Sequence, residues 1–398
     1  MKIGQRGVLV VLLVVSAVVL CTADTLTNKT TGEALHGYMT SRTDANGVIA
    51  YTAERGFVPI GGAQWHITPN RLGRRNTVII ITLEEQLSLE MAVEALEQAI
   101  TAGADQGPLF ILLEMNSPGG RAYYVERVCD RLTRTNYCPV FVFVKGGRYG
   151  GAVSGAAAIA LACDRIFMAP NTAIGAATIL DPAYGFNSQK LSVAWQEYLG
   201  ALAGRKGRPR LLVQAMVDKD VEVVEVIKAG NRRFIEPRDA EPNQTIVRTW
   251  SRAGSLLTLT AAEAVDSGIA EAIVADRQDV LRKLDGADAQ ILIDDSLGEA
   301  VRTFRKVRLK FARLRNALDG QIKRIEQTDN IEEAISLLRE IRDEYKSLLS
   351  LAKRYPDLYL DVELIEEQLD SAQDYYEQAK IKMRTVTVDS NDQVKGED

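Results

Sequence analysis

The sequence predicts an α/β fold that is followed by a C-terminal region of long helices. From Thr77 onward, short β-branched runs alternate with segments whose apolar residues recur at helical spacing. Strands and helices that alternate in this way imply parallel strand pairing through right-handed crossovers. Beyond about residue 296 the composition shifts to Leu, Ile, Arg, Lys and Glu, and the pattern to residue 384 is that of long helices.

The α/β region is predicted to cover residues 77–290. Residues 220–258 within it are predicted to form a β-hairpin insertion. Thr260 and Glu263 have the spacing of a capping box at the start of a helix. The predicted strands are Val78–Leu83, Leu109–Met115, Val140–Val144, Arg165–Met168 and Ile273-Val274, and the predicted helices are Ser88–Ala102, Ala122–Thr133, Ser154–Cys163, 190–216 and Thr260–Ser267.

Residues 1–23 are typical of a secretory signal. Lys2 and Arg6 precede the apolar run Val8–Leu20, and Ala23 supplies a small residue at the predicted cleavage point. The run is short for a membrane span. We therefore predict an exported, periplasmic or otherwise extracytoplasmic protein. An uncleaved membrane anchor, or a lipid anchor through Cys21, is the alternative. Residues 24–76 are predicted to be a leader with short strands.

The C-terminal helices are predicted over residues 296–384, with a break at Pro356. Their apolar residues lie on one face in each half, which favours a packed helical hairpin over an extended coiled coil. The cationic run within 302–315 is either a solvated helix face or a contact with anionic lipid. Residues 385–398 are polar and are predicted to be disordered.

Composition excludes several classes of function. The net charge is −5, so no basic field favours nucleic acid. The two histidines, His36 and His66, do not form a cluster, and no metal site or cofactor is predicted. After signal cleavage three cysteines remain. Cys129 and Cys138 could pair, whereas Cys163 in its Ala-rich run is predicted to be a buried thiol.

Two motifs point to chemistry. Asn116–Gly120 follows a buried strand and precedes a helix, and its adjacent glycines allow backbone N–H groups to approach a developing oxyanion. The plainer interpretation is a strand-to-helix turn. Ser154 opens an Ala-rich helix, whose N-terminus stabilises negative charge. The plainer interpretation of this serine is an ordinary N-cap.

Together, the two motifs and their flanking segments resemble a known family. The layout is similar to the ClpP/crotonase superfold, and within it to the ClpP class of membrane-associated serine proteases, the NfeD and signal peptide peptidase A group. This resemblance implies repeated ββα units, a Ser154 nucleophile, an oxyanion hole at Gly119 and Gly120, a peptide or protein substrate, and homo-oligomers. The matching segments are Asn116–Gly120, Ala152–Gly155, Ile159–Asp164, Met168–Ala177 and Leu257–Ala264, continuing to Gly268.

The chain departs from the family at the general base. Such enzymes use a Ser–Lys dyad, in which a neutral lysine accepts the serine proton. Gly200 stands at the position of that lysine. Lys190 and Lys206 are the nearest substitutes, and we take Lys190 as the candidate catalytic base. No histidine follows Ser154 in the sequence, which argues against a Ser–His–Asp arrangement.

The leading hypothesis is therefore an exported serine endopeptidase that uses Ser154 and the glycine loop. The alternative is a catalytically inactive scaffold of the same fold, which would bind a partner such as a membrane-proximal protein through its C-terminal helices. The missing lysine favours this alternative. A crotonase-like acyl-CoA enzyme shares the fold and the oxyanion hole, but export argues against it because CoA is a cytoplasmic cofactor.

Overall fold

The computed structural model describes residues 24–44, 47–52, 54–61, 64–68, 76–135, 138–178, 189–228 and 230–394. The predicted signal segment 1–23 lies outside this range. The chain divides into two compact units. One extends through Leu297, apart from Leu89–Met91, and the other combines Leu89–Met91 with the residues from Gly298 onward.

The first unit begins with a five-stranded antiparallel sheet in the order β4-β3-β2-β1-β5. Five buried apolar side chains form its core, which explains how the predicted leader can hold several strands. They are Leu26, Leu35, Ala50, Ile60 and Trp65. The strands are β1 (Asp24–Asn28), β2 (Ala34–Asp44), β3 (Gly47–Thr52), β4 (Gly56–Ile60) and β5 (Trp65–Thr68).

The main sheet has six strands in the order β16-β10-β8-β7-β6-β17, and every neighbouring pair is parallel. The predicted α/β class and the parallel pairing are confirmed. Strand β7 is buried at every residue, as expected for a parallel sheet covered on both faces. The strands are β6 (Thr77–Leu83), β7 (Phe110–Met115), β8 (Val140–Val144), β10 (Arg165–Met168), β16 (Ala272–Ile273) and β17 (Gln290–Asp294).

The helices of this unit follow the predicted pattern, with one division and one further helix, Arg277–Lys283, that the sequence pattern does not predict. The segment predicted as one helix over 190–216 is two helices, because Pro209 adopts an extended conformation at the start of the second. The predicted capping box of Thr260 and Glu263 is present. The helices are α1 (Glu90–Asp105), α2 (Ala122–Arg134), α3 (Gly155–Ala162), α4 (Gln189–Arg205), α5 (Arg210–Val217), α6 (Ala261–Asp266) and α7 (Arg277–Lys283).

Two smaller sheets complete the unit. Strands β9 (Gly151–Val153), β11 (Ala173–Gly175) and β15 (Thr258–Thr260) form a sheet in the order β15-β11-β9, which the sequence pattern does not predict. The other contains β12 (Val223–Lys228), β13 (Asn231–Ile235) and β14 (Thr245–Ser251). Strands β12 and β13 are the predicted hairpin, and β14 pairs with the opposite edge of β12.

The second unit consists mainly of three long helices, α8 (Ser296–Ile325), α9 (Ile331–Arg354) and α10 (Val362–Val394). A 3₁₀ turn at Pro356–Leu358 separates the last two, as Pro356 predicts. Helix α10 continues past residue 384, where the sequence predicts an end, because 385–394 contain neither Gly nor Pro. Among the described residues, no helix has both the length and the apolarity needed to span a membrane.

The three cysteines of the described residues are buried thiols. Cys129, Cys138 and Cys163 are all unbridged, so the pairing of Cys129 with Cys138 that the sequence allows does not form. Cys163 is 1% exposed, as predicted for a small apolar residue. Burial raises the pKa of the Cys163 thiol to about 12, so it stays protonated at neutral pH.

Candidate active site

Ser154 lies between strand β9 and helix α3 in a strained backbone conformation. Its φ is 57° and its ψ is −129°, a combination that costs a residue with a side chain about 1–3 kcal/mol. Its N–H donates to the carbonyl of Gly175 at 3.0 Å, and its carbonyl accepts from the N–H of Ala157 at 3.0 Å. The half-buried side chain makes no helix-capping hydrogen bond. The ordinary N-cap interpretation is therefore wrong for this serine.

The predicted glycine loop packs directly against the residues that follow Ser154. A Cβ atom on Gly119, whose φ is 86°, would lie 2.4 Å from the backbone nitrogen of Gly155. On Gly120 it would lie 2.1 Å from the carbonyl oxygen of Leu87, and on Gly155 it would lie 2.5 Å from Cγ2 of Val125. These approaches allow no side chain at the three glycines, so the loop and the start of α3 lie in contact.

Hydrogen bonds hold the loop beside strand β9. The Ser117 N–H donates to the carbonyl of Gly151 at 3.0 Å, and the Val153 N–H donates to the carbonyl of Ser117 at 3.2 Å. The Ser117 hydroxyl donates to the carbonyl of Glu85 at 2.7 Å. The positions of the loop and of Ser154 are thus coupled through backbone contacts only one residue from Ser154.

The two loop glycines differ in the state of their N–H groups. The Gly119 N–H donates to the Ser117 hydroxyl at 3.1 Å, so it already has an acceptor. Within the described part of the chain, the N–H groups of Gly120 and Gly155 have no hydrogen-bond acceptor. Among the described residues, Gly120 and Gly155 therefore each keep a free backbone N–H where the loop meets the start of α3, whereas the N–H of Gly119 is used within the loop.

Asn116 orders the loop that leads into Ser154. It is 5% exposed, and its Oδ1 accepts hydrogen bonds from the N–H groups of Tyr149 at 3.2 Å and Gly151 at 3.3 Å. A Cβ atom on Gly147 would lie 2.2 Å from Nδ2 of Asn116. The sequence motif includes this asparagine, but only the structure reveals that it fixes the segment before the serine.

Gly200 on helix α4 lies beneath a group of long polar side chains. A Cβ atom there would lie 3.1 Å from Nε and 3.2 Å from Cγ of Arg210, and 3.4 Å from Cγ of Gln214. Arg210 in turn forms an ion pair with Glu197, and Gln214 donates to the same carboxylate at 3.1 Å. Arg210 therefore occupies the space into which a side chain at position 200 would extend.

The two candidate lysines have different positions. The Lys206 amine forms an ion pair with Asp164 at 2.5 Å and is largely buried. The other oxygen of Asp164 accepts from the N–H of Val140 at 2.8 Å, so the pair is anchored to the main sheet. Lys190 lies in the first turn of α4, but its side chain is outside the described residues.

Arg208 holds the end of α3 that lies opposite Ser154. Burial lowers the pKa of its guanidinium to about 10, although Cys163 and Asp164 oppose the shift, so it remains charged at neutral pH. It donates to the carbonyls of Leu161 at 2.8 Å, Cys163 at 3.0 Å, Asp164 at 3.2 Å and Ile269 at 3.1 Å. A cation here satisfies carbonyls that a helix C-terminus leaves unpaired. The sequence pattern gives no sign of this role, because the four carbonyls come from segments that are distant from Arg208 in the chain.

Comparison with known proteins gives matches over the same region. Residues 77–244 match the model of the NfeD1b N-terminal domain family. Membrane protein NfeD1b of Bacillus subtilis is 28% identical over 225 residues, which is 56% of this chain and 44% of that protein. Membrane-bound protease PH1510 of Pyrococcus horikoshii is 26% identical over 169 residues, which is 39% of this chain and 36% of that protein. The chain thus spans less than half the length of these relatives.

Solved structures of the 1510-N membrane-bound stomatin-specific protease also match, at 20% identity and over 55% of this chain. A serine-to-alanine variant has a TM-score of 0.41 and is covered over 98% of its length. A lysine-to-alanine variant in complex with a substrate peptide has a TM-score of 0.40 and is covered over 91%. The family match and the two sequence relatives confirm the resemblance of this chain to NfeD-type membrane proteins, a membrane-bound protease among them.

Proposed function

We propose that the chain is an exported serine endopeptidase of the ClpP class, with Ser154 as its nucleophile. One observation carries the proposal. A serine at positive φ, with a hydroxyl that makes no capping bond, lies where a glycine loop contacts the start of its helix. Strained conformations of this kind cluster at functional sites. The repeated ββα arrangement of the superfold, with the domain limits 77–290, belongs to the same proposal.

The proposed reaction is acyl transfer to the serine. The Ser154 hydroxyl oxygen attacks the carbonyl carbon of the peptide bond while its proton passes to a base. The tetrahedral oxyanion accepts hydrogen bonds from the N–H groups of Gly120 and Gly155. These donors are already in place, so little reorganisation accompanies the step. The proton then passes to the leaving amine, and water hydrolyses the acyl-enzyme.

Lys190 is our candidate for the base. Gly200 carries no amine, and the amine of Lys206 is engaged by Asp164. Helix α4, which contains Lys190, is anchored near the serine. The Trp195 indole N–H donates to the carbonyl of Ala177 at 2.7 Å, and Ala177 follows Gly175, which bonds the Ser154 N–H. This anchoring supports a role for the first turn of α4 beside Ser154.

Labelling with a fluorophosphonate probe tests the nucleophile. The wild-type chain should react, and Ser154→Ala should lose labelling completely because the attacking oxygen is removed. Lys190→Gln should lower the labelling rate at least tenfold, as general-base loss commonly does. Ser350→Ala, at an exposed serine of α9, is the matched control and should label normally. Labelling that persists in Ser154→Ala would refute the assignment.

The second candidate function is a non-catalytic scaffold, which binds a peptide segment beside Ser154 or a protein partner through the C-terminal helices. The side chain of Arg210 favours the scaffold. It lies over Gly200 and occupies the space that the family's lysine side chain would need. Under this alternative no serine-directed probe labels the wild-type chain, yet Ser154→Ala and wild type bind the same peptides equally well. Peptide binding by fluorescence anisotropy, combined with the labelling experiment, separates the two functions.

The proposed setting is a membrane surface, on the extracytoplasmic side. The relatives are named as membrane proteins, and one solved protease is named as stomatin-specific. We therefore propose a peptide or protein substrate derived from a membrane-associated protein. Homo-oligomer formation and the contact with a membrane-proximal partner are part of the same proposal.

A further inference from the structure

We propose that the outer face of helix α8 is a binding surface for the anionic phospholipid headgroups of a bilayer. Residues 302–315 contain seven Lys or Arg and no Asp or Glu. We define the basic stripe as the part of this run that shares one helix face with Leu309. Its residues are Arg302, Arg305, Lys306, Leu309, Lys310 and Arg313.

The stripe lies opposite the buried face of α8. Val301, Phe304 and Val307 are each at most 8% exposed, and they recur every three residues. With 3.6 residues per turn, the stripe residues fall on the other side of the helix, and all of them are exposed. They extend over about 16 Å of helix axis, at 1.5 Å per residue. Such a stripe is long enough to contact several headgroups at once.

Three of the five charges of the stripe are unbalanced within the described part of the chain. In the described part of the chain, Lys306, Lys310 and Arg313 form no ion pair. Lys306 and Lys310 are four residues apart and Lys310 and Arg313 three, so they repel one another along the helix. By contrast, four cations of the other two helices are paired: Arg342 and Lys346 with Asp343, Lys353 with Glu366, and Lys380 with Glu377. The positive charges of Lys306, Lys310 and Arg313 are therefore available to an external anion.

Leu309 indicates what kind of anion fits. It is 62% exposed at the centre of the stripe, between Lys306 and Lys310. An apolar side chain flanked by long cationic ones suits the boundary between headgroups and acyl chains, where the cations reach the phosphates and the leucine enters the apolar layer. The exposed face of a single helix is convex, which suits an extended layer of headgroups better than a single small anion. The relatives are also named as membrane proteins, which favours a bilayer over a second protein.

The remainder of the chain does not supply this attraction. The net charge of −5 would repel the protein as a whole from an anionic surface. The attraction of the stripe acts within about one Debye length, roughly 8–10 Å at physiological salt. Binding therefore requires α8 to lie along the membrane plane, and it should be sensitive to salt.

Vesicle co-sedimentation of the full chain tests the proposal. The vesicles contain either phosphatidylcholine alone or equal parts of phosphatidylglycerol and phosphatidylcholine. Wild-type protein should bind the anionic vesicles more tightly, and this preference should vanish in about 1 M salt, where the Debye length is about 3 Å. The apolar segment 8–20 is present in every variant. Any contribution that it makes to vesicle binding therefore cancels when variants are compared on the same vesicles.

The test variant is Lys306→Gln/Lys310→Gln/Arg313→Gln. Each basic residue near an anionic surface contributes about fivefold in affinity, so the triple variant should bind about 100-fold more weakly. Its thermal midpoint should equal or exceed that of wild type, because repulsion along α8 is relieved. The control Lys346→Gln/Lys353→Gln/Lys380→Gln makes the same charge change at paired cations and should bind like wild type.

Three outcomes would overturn the proposal. One is equal binding of wild type to the two kinds of vesicle. Another is equal loss of binding in the test and control variants, which would show that only net charge matters. The third is a dimer in sedimentation velocity that the test variant abolishes, without any vesicle preference, which would assign the stripe to a second copy of the chain.

Discussion

At the scale of single residues, the backbone of Ser154 is held in a conformation that glycine adopts more easily than serine. Its φ of 57° with a ψ of −129° lies where glycine is common and a residue with a Cβ atom is strained. The hydrogen bonds to Gly175 and Ala157 keep it there. Serine at this position is thus costly for the fold, and this strain is consistent with the proposed role of the hydroxyl in chemistry.

We predict that Ser154→Gly stabilises the protein. Glycine removes the strain, about 1–3 kcal/mol, and gives back part of that gain as chain entropy, so the net increase should be about 1 kcal/mol in the free energy of unfolding. Ser154→Ala keeps the Cβ atom and should change stability little. Urea unfolding monitored by circular dichroism measures both variants. A Ser154→Gly protein less stable than Ser154→Ala would contradict the strain argument.

Gly119 and Gly120 are the same type of residue, but their backbone N–H groups are in different states. Both glycines are required by close approach, Gly119 to Gly155 and Gly120 to Leu87. Only Gly120 keeps its N–H free of acceptors in the described residues, because the Ser117 hydroxyl takes that of Gly119. A pattern of two adjacent glycines predicts the loop but does not distinguish the two N–H groups.

At the scale of elements, helix α3 is fixed at both ends. Ser154 precedes its first residue. At the other end, the buried guanidinium of Arg208 donates hydrogen bonds to the carbonyls of Leu161, Cys163 and Asp164. Because α3 is short and fully buried, a shift at one end moves the other. Arg208 is therefore a positioning residue for the serine.

Replacement of Arg208 by Met should destabilise the protein by about 3–5 kcal/mol, because four buried carbonyls lose their charged donor. Arg208→Lys should recover only part of this, since one amine cannot reach all four acceptors. Arg205→Met, at an exposed position near the end of α4, provides the control and should change stability by less than about 0.5 kcal/mol. Urea unfolding gives all three values. A small effect of Arg208→Met would show that water replaces the guanidinium.

At the scale of the whole molecule, Glu114 connects distant parts of the first unit. Its carboxylate on β7 contacts Lys145, which follows β8, at 3.3 Å, and Arg277 of α7 at 2.5 Å. Burial raises the pKa of Glu114, but Arg277 and Lys145 together outweigh it and leave the pKa below its usual value of 4.5. The ionised form is therefore favoured by folding.

The sign of this shift makes the contribution of Glu114 pH-dependent. A depressed folded-state pKa stabilises the protein above the unfolded pKa near 4.5, and the benefit is lost as the pH falls through the folded value. At pH 7, Glu114→Gln should cost about 3 kcal/mol, the scale of a broken buried pair. The difference between wild type and Glu114→Gln should shrink below about pH 4.5. Unfolding curves across this range measure it, and a pH-independent difference would contradict the assignment.

Sequence pattern predicts the long elements of this protein well. Strands such as Val140–Val144 and Arg165–Met168 match their predicted limits, because a buried parallel strand needs a continuous apolar run. Pro356 and the Thr260–Glu263 capping box also act as predicted, since their effects depend on neighbouring residues in the chain. The joint position of Ser154 and the glycine loop is instead what the resemblance to the ClpP/crotonase layout implies.

The tertiary structure alone decides which polar groups of the site are free. The three-residue strands β9, β11 and β15 show no periodicity, yet they fix the backbone of Ser154. Two further contacts join side chains from different elements. Asp164 forms an ion pair with Lys206, and the side chain of Arg210 lies over Gly200. Local sequence determined where helices, turns and buried strands form, because those depend on nearby residues. The partners of each N–H and amine depend on how distant segments approach, and that is settled only when the whole domain packs.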